Sequence, residues 1–115
     1  MGHRLNGNGK TLVSVVRCEG NLDATKMVTI KNRLSRLFNQ NHKFLLLDLA
    51  RARRIDVTGL GILMDRIQRF RALDGDVRLF NLKPAVFEML RRVGVDELVE
   101  TYPTEEEARR SFQIA

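Results

Sequence analysis

Phe44-Leu45-Leu46-Leu47-Asp48-Leu49, then Ala50-Arg51-Ala52-Arg53-Arg54, then Ile55-Asp56-Val57-Thr58-Gly59-Leu60-Gly61 is the stretch on which the fold of this chain turns. Four apolar residues in a row, a carboxylate and another leucine read as a short strand over 44–49. Such a run is buried on both faces, as in parallel sheets covered by helices. After Thr58 the period changes. Leu60, Leu63, Met64, Ile67 and Phe70 recur near the 3.6-residue spacing of one helix face, which predicts a helix over 59–73. The arginine-rich segment between strand and helix is expected to be a loop. Open α/β sheets hold ligands and partners at such junctions, at the carboxyl ends of their strands.

Working outward, Asp74-Gly75-Asp76 reads as a turn and Val77–Leu82 as the next strand, so 44–82 forms one βαβ unit with a right-handed crossover. Pro84 suits the first turn of a helix that buries Val86, Phe87, Leu90 and Val93 and stops at Gly94, a left-handed cap. Val99–Tyr102 is expected as a short edge strand closed by Pro103. Thr104-Glu105-Glu106-Glu107 is a capping box opening a last helix, docked by Ala108 and Phe112. On the other side, Asp23 caps a helix running to about Asn39 with Met27, Ile30, Leu34, Leu37 and Phe38 as its stripe. Thr11–Cys18 reads as a strand broken by Gly20. Asn6-Gly7-Asn8-Gly9 carries two hairpin signals and joins that strand to a shorter one near His3–Leu5.

At 115 residues, with no internal repeat or linker, this is one α/β domain with its own core. No apolar run is long enough to span a bilayer, and the Met1-Gly2-His3-Arg4 start lacks the apolar stretch of a signal peptide. Cys18 is the only cysteine, which excludes an internal disulfide and suggests a cytoplasmic setting. Two scattered histidines and one cysteine cannot assemble the usual zinc frameworks, so no metal and no cofactor are expected. The net charge of +6 comes from clustered arginines, Arg51, Arg53 and Arg54 among them. A basic face can meet nucleic acid, an anionic membrane or an acidic protein, or be simply a solvated surface. With Tyr102 the only tyrosine and no tryptophan, no base-stacking platform is apparent, and nucleic acid is not the expected partner.

Enzyme signals fail on spacing. Gly59 and Gly61 would need a third glycine at position 64, which is Met64, to make a dinucleotide fingerprint; Gly9-Lys10-Thr11 lacks the first glycine of a phosphate loop, at Arg4. Asp48 and Asp56 are the one carboxylate pair worth weighing for acid–base work, but no histidine or activated hydroxyl adjoins them. Asp48 reads instead as a strand-end residue. A phosphoacceptor receiver domain shares Asp48 and Lys83-Pro84, but it needs an acidic pair after the first strand and should end soon after position 84. No catalytic residue is assigned. Thr58 reads most simply as the helix N-cap, although a phosphate on it would also meet free amides and the positive end of the helix. Gly59 and Gly61 would let a partner's backbone approach.

Four blocks carry a family resemblance: Gly20-Asn21-Leu22-Asp23, Leu45-Leu46-Leu47-Asp48-Leu49, Ile55-Asp56-Val57-Thr58-Gly59-Leu60-Gly61-Ile62-Leu63, and Val93-Gly94-Val95-Asp96-Glu97-Leu98. In order and spacing they resemble STAS domains, the sulfate-transporter and anti-sigma-factor-antagonist family, and especially the stand-alone bacterial anti-sigma factor antagonists. The resemblance implies a single domain over 1–115, its core at about 11–112. It also implies an α/β fold with a mixed sheet of four to five strands backed by about four helices. The implied function is non-enzymatic: the unphosphorylated antagonist binds an anti-sigma factor that is also an ATP-dependent serine kinase. Phosphorylation of the first hydroxyl after the loop aspartate breaks that complex, because about −1.5 to −2 of charge appears in a packed interface. Here that position is Val57, which takes no phosphate; Thr58 matches the second hydroxyl position and is the alternative acceptor, a use the resemblance does not itself imply. Asp23, Arg53, Arg54, Asp56, Val57, Thr58, Gly59, Leu60 and Gly61 are the partner-binding residues so implied, with the arginines matching an acidic surface. Other STAS assemblies, stressosome-like or built on a lipid-transport ATPase, and a basic binder of nucleic acid or anionic membrane are the alternatives.

Overall fold

The computed structural model of the protein describes residues 12–112. Its elements run β1 (Val13–Leu22), α1 (Ala24–Asn39), β2 (Phe44–Ile55), α2 (Val57–Ala72), β3 (Asp76–Phe80), α3 (Pro84–Val93), β4 (Thr101–Tyr102) and α4 (Glu105–Ser111). The expected hairpin at Asn6–Gly9 and the strand near His3–Leu5 lie outside the described residues.

The apolar run at 44–49 decides the layering. Strand side chains alternate between faces. Leu45, Leu47 and Leu49 pack in one cluster with Met27, Ile30 and Leu34 of α1, Leu60, Leu63, Ile67 and Phe70 of α2, and Val86 and Leu90 of α3. Leu46 joins Phe80, Ala108 and Phe112 on the opposite side, with Phe44 packed against them. Helices α1 to α3 therefore cover one face and α4 the other. The sheet order is β1-β2-β3-β4 with every described pairing parallel. Three successive crossovers of one hand put their helices on one side.

The segment expected as a basic loop, 50–54, is strand instead. β2 runs on to Ile55 and β1 runs through Gly20 to Leu22, so these two strands outreach β3, whose last partner on β2 is Asp48. Two register shifts explain why the pattern hid it. Arg17 and Glu19 pair with Asp48 and Arg51, and Gly20 and Asn21 pair with Ala52 and Arg54, so β2 carries one extra residue at each shift. Such bulges break strict alternation and bend the strand. Ala50 with Arg51, and Arg53 with Arg54, are exposed in consecutive pairs while Leu49, Ala52 and Ile55 stay buried. Gly20 does not end β1 but sits beside the second shift at φ +81°, a conformation that favours glycine.

α1 and α4 begin where read, capped by the Asp23 carboxylate on the Lys26 amide and by the Thr104 hydroxyl on the Glu107 amide. α3 starts at Pro84 and ends on Gly94 at φ +85°. Phe87 and Val93, expected in the core, are instead among the exposed apolar side chains, because this helix buries only a narrow stripe, Val86 and Leu90.

Asp76, assigned to a turn by its sequence, is a buried junction. Its carboxylate accepts from the Val77 amide at 2.8 Å, Arg71 Nε at 2.8 Å and Arg78 Nε at 3.0 Å. Arg71 also donates to the Leu98 carbonyl, and Arg78 to the Ser111 carbonyl and hydroxyl while lying over the Phe112 ring. One carboxylate thus ties α2, β3, α4 and the segment before β4.

Candidate functional site

Parallel pairing brings two strand-to-helix junctions side by side. Leu22 and Ile55 are register partners, and the next residue on each strand is an aspartate capping the following helix. Asp23 Oδ1 accepts from the Lys26 amide at 2.9 Å, and Asp56 Oδ1 from the Gly59 amide at 2.7 Å. The Asp56 amide donates to the Leu22 carbonyl at 3.3 Å, locking the start of α2 to the end of β1.

This geometry corrects two local expectations. The cap of α2 is Asp56, not Thr58, and the helix begins at Val57, so Thr58 lies within its first turn with its side chain exposed. Both residue types cap well. The choice falls to Asp56 because the β pairing of Ile55 holds residue 56 in extended geometry at φ −94° and ψ 173°. Gly59, expected to admit a partner's backbone, is buried. A Cβ there would collide with the Leu22 carbonyl oxygen, so its close approach is to its own chain. Leu60 is likewise in the core, whereas Gly61 faces open space.

The accessible members of the set are Asp23, Arg53, Arg54, Asp56, Val57, Thr58 and Gly61. Val57 is the most exposed large apolar side chain among the described residues, 62% accessible at the head of α2. Next to the junction lies an open hollow of about 470 Å³ lined by Glu19, Gly20, Lys26, Arg51, Arg53 and Lys83. Four cations and one carboxylate give it a positive balance; the carboxylate, Glu19, stands 3.9 Å from Arg51 across exposed, solvent-screened surface. Sequence reading had the arginines but not Lys26 and Lys83, which the fold delivers from the first turn of α1 and the entry to α3.

Asp48 and Asp56 do not form a pair. Asp48 lies within β2 and Asp56 just past its end, and with the two bulges the stretch between them matches about six residue steps of β1, roughly 20 Å at ~3.3 Å per residue. Nor is Asp48 a strand end. Its carboxylate accepts from the Ala50 amide at 3.0 Å and from Asn81 Nδ2 at 3.4 Å, and it meets Arg17 Nε at 3.5 Å. It also faces Cys18, whose thiol is pushed up to about 12, first by burial and then by this carboxylate. Among the described residues no cluster of three or more His, Cys, Asp or Glu side chains is placed to hold a metal ion, and no helix is long and apolar enough to cross a membrane.

A family model described as the STAS domain matches residues 5–108. Among solved structures, the chain is similar to an anti-sigma factor antagonist from Mycobacterium paratuberculosis, at 20% identity and a TM-score of 0.77, covering 97% of this chain and 91% of that one. It is similar to the Bacillus cell fate determinant SpoIIAA in its phosphorylated form, at 24% identity and a TM-score of 0.64, over 85% and 89% of the two chains. It is also similar to the SulP transporter STAS domain of Vibrio cholerae, at 24% identity and a TM-score of 0.69, over 86% and 79%. At these identities the structural likeness speaks to the fold alone.

Proposed function

The chain belongs to the STAS domain family, and from that premise we propose that it is an anti-sigma factor antagonist-like regulator of transcription, cytoplasmic and non-enzymatic. It binds an anti-sigma factor of the ATP-binding serine kinase type at the twin junction of β1–α1 and β2–α2. One observation carries this reading: Val57 stands exposed at the head of α2, beside the Asp56 cap, at the position where the family resemblance puts the phosphoacceptor. An apolar side chain there can be buried by a partner. A charged one opposes that burial, since an unpaired charge in a packed interface is costly. The basic hollow supplies the matching surface for an acidic partner, accelerating encounter more than raising affinity.

Valine also removes the switch. The protein is a permanently competent binder at position 57, unlike a chain with serine there. That favours a second reading within the same family: a STAS subunit of an assembly that needs no phosphorylation, stressosome-like or built on a transport ATPase.

The test is binding to the anti-sigma factor kinases of the source organism by calorimetry. Val57→Asp is expected to weaken binding by about a hundredfold, comparable to burying one unpaired charge, with the unfolding midpoint unchanged. Undiminished affinity would place the interface elsewhere. With kinase and ATP, the wild type takes no phosphate at position 57 and Val57→Ser gains it; a binding partner that leaves Val57→Ser unmodified favours the second reading.

A further inference from the structure

At the far end of α2 from the docking junction, a groove of about 420 Å³ opens between the C-terminal halves of α1 and α2. Ser35, Phe38 and Asn39 line one side, and Arg66, Arg69, Phe70, Ala72 and Leu73 the other. Its size falls in the range of small-molecule sites, and its composition, apolar walls with a few polar groups, is theirs too. Phe38 and Phe70 meet edge-to-face at 4.9 Å, and Leu73 leaves more than half its surface uncovered.

Arg66 is the singular feature. Its Nε is shut off from solvent and has no hydrogen-bond partner. Among the described residues eight other arginines pair with carboxylates, neighbouring Arg69 with Asp65 at 3.0 Å among them, and Arg66 is in none of these ion pairs. A buried donor without an acceptor is costly, and a charged one more so. The groove lining contains no Asp or Glu to meet it, and Lys43, outside the lining, adds a further cation at 5.5 Å from the Phe38 ring. The carbonyls at the ends of both helices are already engaged: Arg36, Leu37, Phe38, Phe70 and Arg71 accept from the amides of the following turns.

We propose that this groove binds a small amphipathic carboxylate, its acid group on Arg66 and its apolar body along Phe38, Phe70 and Leu73. Guanidinium and carboxylate match in a charge-assisted pair, made by the part of the Arg66 side chain that lines the groove. The apolar walls account for a chain or ring attached to that acid. The site is separate from the docking junction, roughly 14 Å along α2 at 1.5 Å per residue.

The experiment uses the full chain with three probes of equal length below their micellar concentrations: decanoate, decanol and decyltrimethylammonium. Decanoate is expected to move the amide resonances of Ser35, Phe38, Arg66, Phe70 and Leu73, and to bind about tenfold or more tightly than decanol, one charge-assisted hydrogen bond being worth that much. Decyltrimethylammonium is expected not to bind. Arg66→Gln should bring decanoate down to the affinity of decanol. Leu73→Glu, at an exposed position that leaves the core intact, should abolish decanoate binding by repulsion. Equal affinities for decanoate and decanol, shifts confined to other residues, or full decanoate affinity in a folded Leu73→Glu chain would each overturn the site. So would a concentration-dependent dimer broadening the same resonances without any probe, which would give the groove to a second copy.

Discussion

The carbonyl of Leu22, at the end of β1, lies against Gly59 in the first turn of α2 so closely that no side chain fits between them. The same oxygen accepts the Asp56 amide. The head of α2, and with it the exposed Val57, is therefore positioned by the neighbouring strand and not only by its own.

A methyl group placed at residue 59 must push α2 off β1, whereas one at residue 61 meets nothing within 4 Å. Alanine gains about 1 kcal/mol over glycine in a helix. Overpacking costs about 1–3 kcal/mol, more against backbone. Gly59→Ala is expected to be destabilised by about 1–2 kcal/mol and Gly61→Ala to be stabilised by a few tenths or more. Urea midpoints of the two variants should move in opposite directions.

Asp56 and Thr58 separate a cap from a bystander. Asp56→Ala removes the acceptor of the Gly59 amide and should lose about 1 kcal/mol, the usual effect of deleting a helix cap. Thr58→Ala should change stability by less than about 0.5 kcal/mol, as surface substitutions do. A larger loss for Thr58→Ala than for Asp56→Ala in thermal unfolding would return the cap to Thr58.

Asp76→Asn should be strongly destabilising for so small a change. It leaves Arg71 and Arg78 sharing a neutral, half-donating group where each had an ion pair at 3.0 Å or less. Removing one partner of a buried pair costs about 3–5 kcal/mol; partial exposure of both arginines brings the expectation to about 2–3 kcal/mol. Calorimetry of wild type and variant checks it.

Cys18 makes stability fall at high pH. The folded chain keeps the thiol protonated to about 12, while the unfolded chain ionises it near 9.0. The raised value means the contribution is complete below pH 9 and is lost as pH climbs from 9 to 12, about 4 kcal/mol in full at 1.36 kcal/mol per unit. Measured as the difference between wild type and Cys18→Val, which cancels the other titrating groups, the wild-type advantage should shrink over that window. The native thiol should also resist alkylation at neutral pH and react once urea unfolds the chain, since only the thiolate attacks.

Legibility followed the range of the forces. The caps at Asp23 and Thr104, Pro84 at the head of α3 and the left-handed Gly94 are decided within about four residues of chain, and each was readable. Residues 50–54 were not, because two bulges turned a period of two into exposed pairs. Asp56 and Thr58 were both competent caps, and only the Leu22–Ile55 pairing chose between them. The Asp76 network was hidden because Leu98 and Ser111 lie 27 and 33 residues from the arginines they bind.

The amino-acid order by itself determined the alternation of strands and helices, the doubly buried run at 44–49, and an uncharged valine where its family resemblance expects a serine. Those are properties of neighbours along the chain, set by side-chain period, backbone preference and covalent identity. Tertiary structure alone decided that Lys26 and Lys83 join Arg51 and Arg53 around one hollow, that Gly59 faces inward while Val57 faces out, and that the Nε of Arg66 is shut off without an acceptor. Each depends on which strands pair and in what register, and that is chosen by burying the whole core at once.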